Sequence, residues 1–322
     1  MKSARVVVTA LAAGLLLAAC GPGTDSSTEE DYPSDEIRLL VPYTAGGPTD
    51  IAARALGRFM EQDLGQTVVV VNLPGASGAA AYQELISSPP DGYTLSMTAL
   101  PTAVLNYLVN DVGYTRESFE SVGVVTRVPS AIVVPAESPY KDVESLFAAA
   151  KADPGSVKVG TPGATNTHAA ETKRITQLYD VPLTVVPFEG NSEVQTALLG
   201  GNVTAGFVNV SQDMLPAIES GELRALAVGT EERLDYIDAP TLVELGYPEL
   251  TQSTTTFGVI APEGTPSGVV QKLETSMRSA SKDAEVVKAL DERYVPPAFL
   301  GSAELTEVFA QTEKTFQGVA DK

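Results

Sequence analysis

The sequence predicts an α/β protein of two lobes, each a sheet flanked by helices, from three observations. Short β-branched runs alternate with amphipathic stretches, the pattern of parallel strands joined by helical crossovers. The alternation runs through one series ending near Met97 and begins a second near Val143. The length of 322 residues exceeds the roughly 100 to 200 that one core usually takes.

In chain order, Ile37 to Val41 reads as a strand. Ile51 to Leu64 reads as a helix with Ile51, Ala55, Leu56, Phe59 and Met60 on one face. Thr67 to Val71 is the next strand. A Gly-rich turn at Pro74 to Gly78 leads to a helix through Ile86, and the Pro89-Pro90-Asp91-Gly92 turn leads to a strand at Tyr93 to Met97. The second series holds a helix at Val143 to Ala152, a strand at Val157 to Gly160, a helix at Thr167 to Tyr179 and a strand at Thr184 to Pro187. It continues with a helix at Glu193 to Leu199 and strands at Ala205 to Val208 and Leu223 to Val228. A strand at Thr256 to Ala261 precedes a helical tail from Pro266 onward.

The first residues read differently. Lys2 and Arg5 precede an apolar run from Val6 to Ala19, too short for a spanning helix of about 20 residues but suited to a secretory signal. Leu17-Ala18-Ala19-Cys20 is similar to the lipobox of bacterial lipoproteins, which makes Cys20 the expected lipid attachment point. It is the one cysteine of the chain, so no internal disulfide can form. From Gly21 to Asp35 the composition is that of a tether. The net charge of −20, from 21 Lys and Arg against 41 Asp and Glu, repels nucleic acid. It repels a free anion as well, so any bound carboxylate needs local donors.

Specific strings carry more than periodicity. Ile37 to Asp50 (IRLLVPYTAGGPTD), Val71 to Gly78 (VNLPGASG), Pro90 to Leu95 (PDGYTL), Val186 to Gly190 (VPFEG), Ser220 to Val228 (SGELRALAV) and Gly258 to Pro266 (GVIAPEGTP) occur in a fixed order. Together they resemble the Bug receptors, the solute-binding components of tripartite tricarboxylate transporters. The resemblance spans nearly everything after the tether. It implies a two-lobed, periplasmic-binding-protein-like (Venus flytrap) fold, with the chain crossing between lobes near Val134 and near Thr254. The expected organisation is a signal peptide over 1–19, a lipidated cysteine and tether over 20–35, a first lobe over 36–133 and 255–322, and a second lobe over 134–254.

The loop from Pro42 to Asp50 leaves a strand and enters a helix, where parallel sheets place ligands. Gly46 and Gly47 let backbone approach a ligand, and Pro48 suits a first helical position. Tyr43, Thr44, Ala45, Gly46, Gly47, Pro48, Thr49 and Asp50 are therefore candidates, with free helix-start amides available to an anion. Asp50 either steadies the helix against its dipole or receives a ligand's amino group. A second loop, from Gly160 to His168, also precedes a helix, and the resemblance places it across the cleft from the first. It contributes Thr161, Gly163, Thr165, Asn166, Thr167 and His168, the lone histidine, which suits either packing or contact. Thr98, Ala99, Leu100, Phe188 and Asn209 are implied by the resemblance, with Phe188 suited equally to the ligand's carbon skeleton or to the core. Many family members carry a lysine where this chain has Glu189, and an acid where it has Thr204. Glu189 disfavours highly charged anions and tolerates an amine if it lines the cleft, and is uninformative if it faces solvent.

No G-x-S-x-G elbow, phosphate loop or His-rich metal cluster is present in the sequence. An enzyme is not expected, and no cofactor or metal is implied. The expected protein is a monomeric, extracytoplasmic, lipid-anchored receptor that closes two lobes around a small carboxylate or amino-carboxylate. It would deliver that ligand to multispanning permease subunits. The alternative is a ligand-sensing lipoprotein that signals through a membrane sensor.

Overall fold

In each of the two sheets, one strand runs against the rest, and that strand lies next to a crossing of the chain. The computed structural model describes residues 32–250 and 253–320. The expected signal peptide, Cys20 and most of the tether lie outside the described residues. Pro33 is already buried, and the Ser34 amide donates to Tyr93 Oη at 2.9 Å. The folded body therefore starts before Asp35, inside the expected tether.

The first sheet holds β1 (Ile37–Val41), β2 (Val68–Asn72), β3 (Thr94–Leu100), β4 (Phe119–Val128) and β10 (Thr255–Pro262), in the order β2-β1-β3-β10-β4. β1 pairs in parallel with β2 and β3, whereas β10 is antiparallel to both β3 and β4. The second sheet holds β5 (Ser130–Pro135), β6 (Lys158–Thr161), β7 (Thr184–Pro187), β8 (Ala205–Asn209) and β9 (Leu223–Val228), in the order β7-β6-β8-β5-β9. Here β6 is parallel to β7 and β8, and β5 is antiparallel to β8 and β9. The expectation of parallel strands thus holds only for the βαβ part of each lobe.

The helices are α1 (Pro48–Leu64), α2 (Ala79–Ile86), α3 (Thr102–Val109), α4 (Val143–Ala152), α5 (Thr167–Tyr179) and α6 (Asn191–Leu199). They continue with α7 (Leu215–Glu219), α8 (Ser267–Ala280), α9 (Ala284–Leu290) and α10 (Ser302–Ala320). α1 ends at Gly65, whose φ of 73° and amide bond to the Glu61 carbonyl form a left-handed cap. In β5 the side chains alternate: Ala131 and Val133 join one hydrophobic cluster, Ile132 and Val134 another. The second sheet is therefore covered on both faces. In the first sheet a Cβ on Gly258 would lie 2.9 Å from both the Gly123 carbonyl and Leu305 Cδ2. Glycine there lets α10 lie close on the β10–β4 pair.

β4 ends at Val128 and β5 begins at Ser130, so Pro129 alone carries the chain from one sheet to the other. This crossing lies ahead of Val134, which sits inside β5. Pro129 has no N–H to place in a ladder, which suits a break between two strands. The chain returns to the first sheet at Thr255.

Candidate ligand-binding site

Three loops leave the C-terminal ends of parallel strands and enter helices, where such sheets leave a crevice. They are β1–α1, β6–α5 and β7–α6. Between the sheets they bound a cavity of about 280 Å³. The first lobe contributes Tyr43, Thr44, Ala45, Gly47, Pro48, Thr49, Ala99, Thr102, Thr255 and Phe257. The second contributes Pro162, Asn166, His168, Glu189, Gly190, Asn191, Ser192, Glu193, Asn209 and Asp213.

The helix starts dominate its polar character. α1 and α6 follow Gly47 and Gly190, neither of which supplies a side-chain cap. Their first-turn amides have no intrahelical carbonyl to bond and carry the positive end of the helix dipole. α5 differs, because Asn166 Oδ1 accepts from the Ala169 amide at 2.9 Å. Among the described residues no Lys or Arg lines the cavity, and the donors that do line it for an anion are backbone and neutral side-chain groups.

Asp50 holds the first loop in shape. Its carboxylate accepts from the Gly46 amide at 2.9 Å, from Arg54 Nε at 3.0 Å and from Asn72 Nδ2 at 2.9 Å. Burial opposes its ionisation, yet the bonds from Arg54, Gly46 and Asn72 outweigh burial and hold the carboxyl below its ordinary pKa. Asp50 is buried outside the cavity lining, and both of its carboxylate oxygens are taken by these bonds.

The floor of the cavity is a hydrogen-bonded cluster at the crossings. Ser130 Oγ donates to the Ser253 carbonyl and meets His168 Nε2 at 2.8 Å. Since the single Ser130 hydrogen is engaged there, His168 donates through Nε2–H. Its Nδ1 then accepts from Asn166 Nδ2, 3.4 Å away. Thr255 Oγ1 donates to Asn209 Oδ1 at 2.8 Å, joining the lobes. His168 is 2% exposed and stacks edge-on to Phe207 at 5.6 Å. Burial pushes its pKa down to about 3 against a smaller opposing effect of Asn209, so the ring is neutral.

Of the expected site residues, Tyr43, Thr44, Ala45, Gly47, Pro48, Thr49, Ala99, Asn166, His168 and Asn209 come together around this cavity. Gly46 turns the loop with φ 88° and stays off the lining. Thr98, Thr161 and Thr167 are fully buried and off the lining. Leu100 lines a separate cavity with Pro129 and Tyr294. Gly163, Thr165 and Phe188 line an adjoining groove, where Ser77 Oγ and Thr165 Oγ1 meet at 3.1 Å across the rims. Glu189, whose position the sequence left open, lies exposed at the cavity. Sequence reasoning missed Asn191, Ser192 and Glu193, although Gly190 before a helix repeats the signal read at Gly47. It also missed Thr102, Asp213, Thr255 and Phe257, which carry no local signal and reach the cavity only through sheet pairing.

Two α/β lobes joined at two crossings, with a cavity between them lined by helix starts, define a solute-binding receptor of the periplasmic-binding-protein type. The sequence matches the model of the tripartite tricarboxylate transporter family receptor over residues 52–319, and the chain belongs to that family, which comprises receptors and not enzymes. It is 32% identical to protein BugT of Bordetella pertussis over 314 residues, covering 95% of this chain and 94% of BugT. Among solved structures it is similar to MatC from Rhodopseudomonas palustris with bound malate. That match has 26% identity and a TM-score of 0.80, covering 90% of this chain and 100% of MatC. A second R. palustris protein, solved with adipate, matches at 29% identity and a TM-score of 0.81, covering 90% of this chain and 98% of the other.

Proposed function

We propose that this receptor captures a small carboxylate outside the cytoplasm by closing its two lobes and hands it to a membrane permease of the tripartite tricarboxylate type. The observation that carries this reading is the convergence of the uncapped starts of α1 and α6 on one cavity from opposite lobes. A carboxylate between them takes backbone N–H donors from both sides and thereby favours the approach of the lobes. Malate and adipate in the two R. palustris relatives support the ligand class. Export and anchoring follow from the basic start, the apolar run and Cys20.

The test is calorimetry and thermal melting of the full chain with a panel of mono- and dicarboxylates, aromatic acids and amino acids. A ligand at 100-fold over its Kd is expected to stabilise the protein by about 2.7 kcal/mol. Absence of both heat and stabilisation across the panel overturns the reading. For the anchor, Cys20→Ser is expected to abolish incorporation of radiolabelled palmitate and release the protein from membranes. Unchanged labelling would refute lipidation at Cys20.

A further inference from the structure

We propose that Ser77 and Thr165 form an interlobe latch across the mouth of the ligand cavity, and that Asn106 is the positioning residue that holds it set. The inference rests on the receptor reading and adds to it a residue pair that governs ligand release from outside the cavity lining. Ser77 lies in the loop between β2 and α2 of the first lobe, and Thr165 in the loop between β6 and α5 of the second. Their hydroxyls meet at 3.1 Å, and either can donate. Both residues line a groove of about 700 Å³ that also takes in Tyr43, Thr44, Pro162 and Glu189. Those last four line the cavity as well, so the groove opens onto the cavity and the latch bridges it from lobe to lobe.

The backbone on the first-lobe side is set for this contact. Ala76 and Ser77 have φ of 47° and 53°, the left-handed region that residues with side chains rarely adopt. Such strain persists only where surrounding groups impose it. Here Asn106, on α3 and 1% exposed, spends both amide hydrogens on the loop. Its Nδ2 donates to the Ala76 carbonyl at 3.2 Å and to the Ser77 carbonyl at 2.9 Å. Both anchors lead back to the cavity. Thr102, one turn before Asn106 on α3, lines it, and so does Asn166, the residue after Thr165 and the cap of α5. The latch is also releasable. Ser77 and Thr165 are half-buried, so water can take up both hydroxyls when the rims part, and the net gain from the bond is modest. Closure around a ligand makes the bond, and release breaks it.

The contact is tested without any ligand, on the full chain carrying Cys20→Ser, Ser77→Cys and Thr165→Cys, in which the introduced thiols are the only ones. With diamide as the two-electron oxidant, the intramolecular disulfide is expected to form at least about ten-fold faster in the folded protein than in the same protein unfolded in urea. Equal rates overturn the latch. Adding Asn106→Leu, matched in size, is expected to slow cross-linking about five-fold while melting stays cooperative. An unchanged rate overturns the role of Asn106. Coupling to the ligand is read by stopped-flow with malate and adipate. Ser77→Ala is expected to raise the dissociation rate about two- to ten-fold, the worth of one hydrogen bond, and to leave the association rate within about two-fold. Thr165→Val is expected to do the same, and the double variant no more than either alone. Additive effects, or an unchanged dissociation rate, overturn the latch. Dissociation from the cross-linked protein is expected to be at least about ten-fold slower and to recover on reduction. Release at the wild-type rate shows that the ligand leaves by another route and overturns the latch. Fast cross-linking in a protein that binds neither acid supports the latch and counts against the carboxylate reading.

Discussion

His168 shows how a side chain can serve a cavity without being a pH switch at neutrality. In the unfolded chain an imidazole titrates near about 6.5, whereas burial holds this one down to about 3. Between those values the unfolded state binds a proton that the native state does not, so this contribution to stability is complete above about pH 6.5 and declines as pH falls toward 3. The slope approaches about 1.4 kcal/mol per pH unit. His168→Gln removes the titration, so the stability advantage of the wild type over the variant, measured by urea unfolding, is expected to shrink from about pH 7 to pH 4. A difference that stays constant across that range refutes the assignment. In the sequence, a lone histidine beside a helix start was legible as packing or contact. Its partner Ser130 lies on β5, a strand that periodicity does not mark, so the neutral, doubly engaged ring could not be seen there. Asp50 was legible as a helix-start acid, but the Arg54 and Asn72 bonds that occupy it depend on α1 lying beside β2.

Among the elements, the βα units were readable because strand, turn and amphipathic helix each leave a local mark. Ile37–Val41, Val143–Ala152, Thr167–Tyr179, Thr184–Pro187 and Leu223–Val228 occupy the spans that periodicity assigns them. β4 and β5 were not readable. They follow one another with no helix between, and both are buried almost throughout, so they lack the alternation that marks a half-exposed strand. α3 escaped for a related reason, since it follows β3 almost directly and is apolar on most of its surface. α10 was legible only as a helical tail, and its role is one of seams. Phe316 is fully buried with Leu105 of the first lobe and Ala170 of the second, and Arg174 lies 5.7 Å over its ring. Phe316→Ala is expected to cost about 3–5 kcal/mol, read as a lower midpoint in denaturant with an unchanged slope. A loss below about 1 kcal/mol would show that the seam relaxes to fill the space.

At the scale of the whole molecule, the charge of −20 and the uncapped helix starts act over different ranges. The diffuse field repels an approaching dianion over the Debye length, about 30 Å at 10 mM salt and 8 Å at 150 mM, whereas the amides act only at contact. The association rate of malate is therefore expected to rise about two- to five-fold across that salt range, as read by stopped-flow tyrosine fluorescence. A rate that falls with salt would mean that a local positive field steers the ligand. The crossings have a consequence of another kind. The Ser130 hydroxyl bonds to the Ser253 carbonyl, so the place where the chain enters the second sheet touches the place where it leaves. Everything between is continuous, and both hydrophobic clusters of that sheet are drawn from it alone. The second lobe is thus built as an insert, a self-contained cassette spliced into its host at two adjoining points. Expressed by itself, the 130–253 segment is expected to melt cooperatively with the circular dichroism of an α/β fold. A molten, non-cooperative segment would show instead that the host lobe templates its guest.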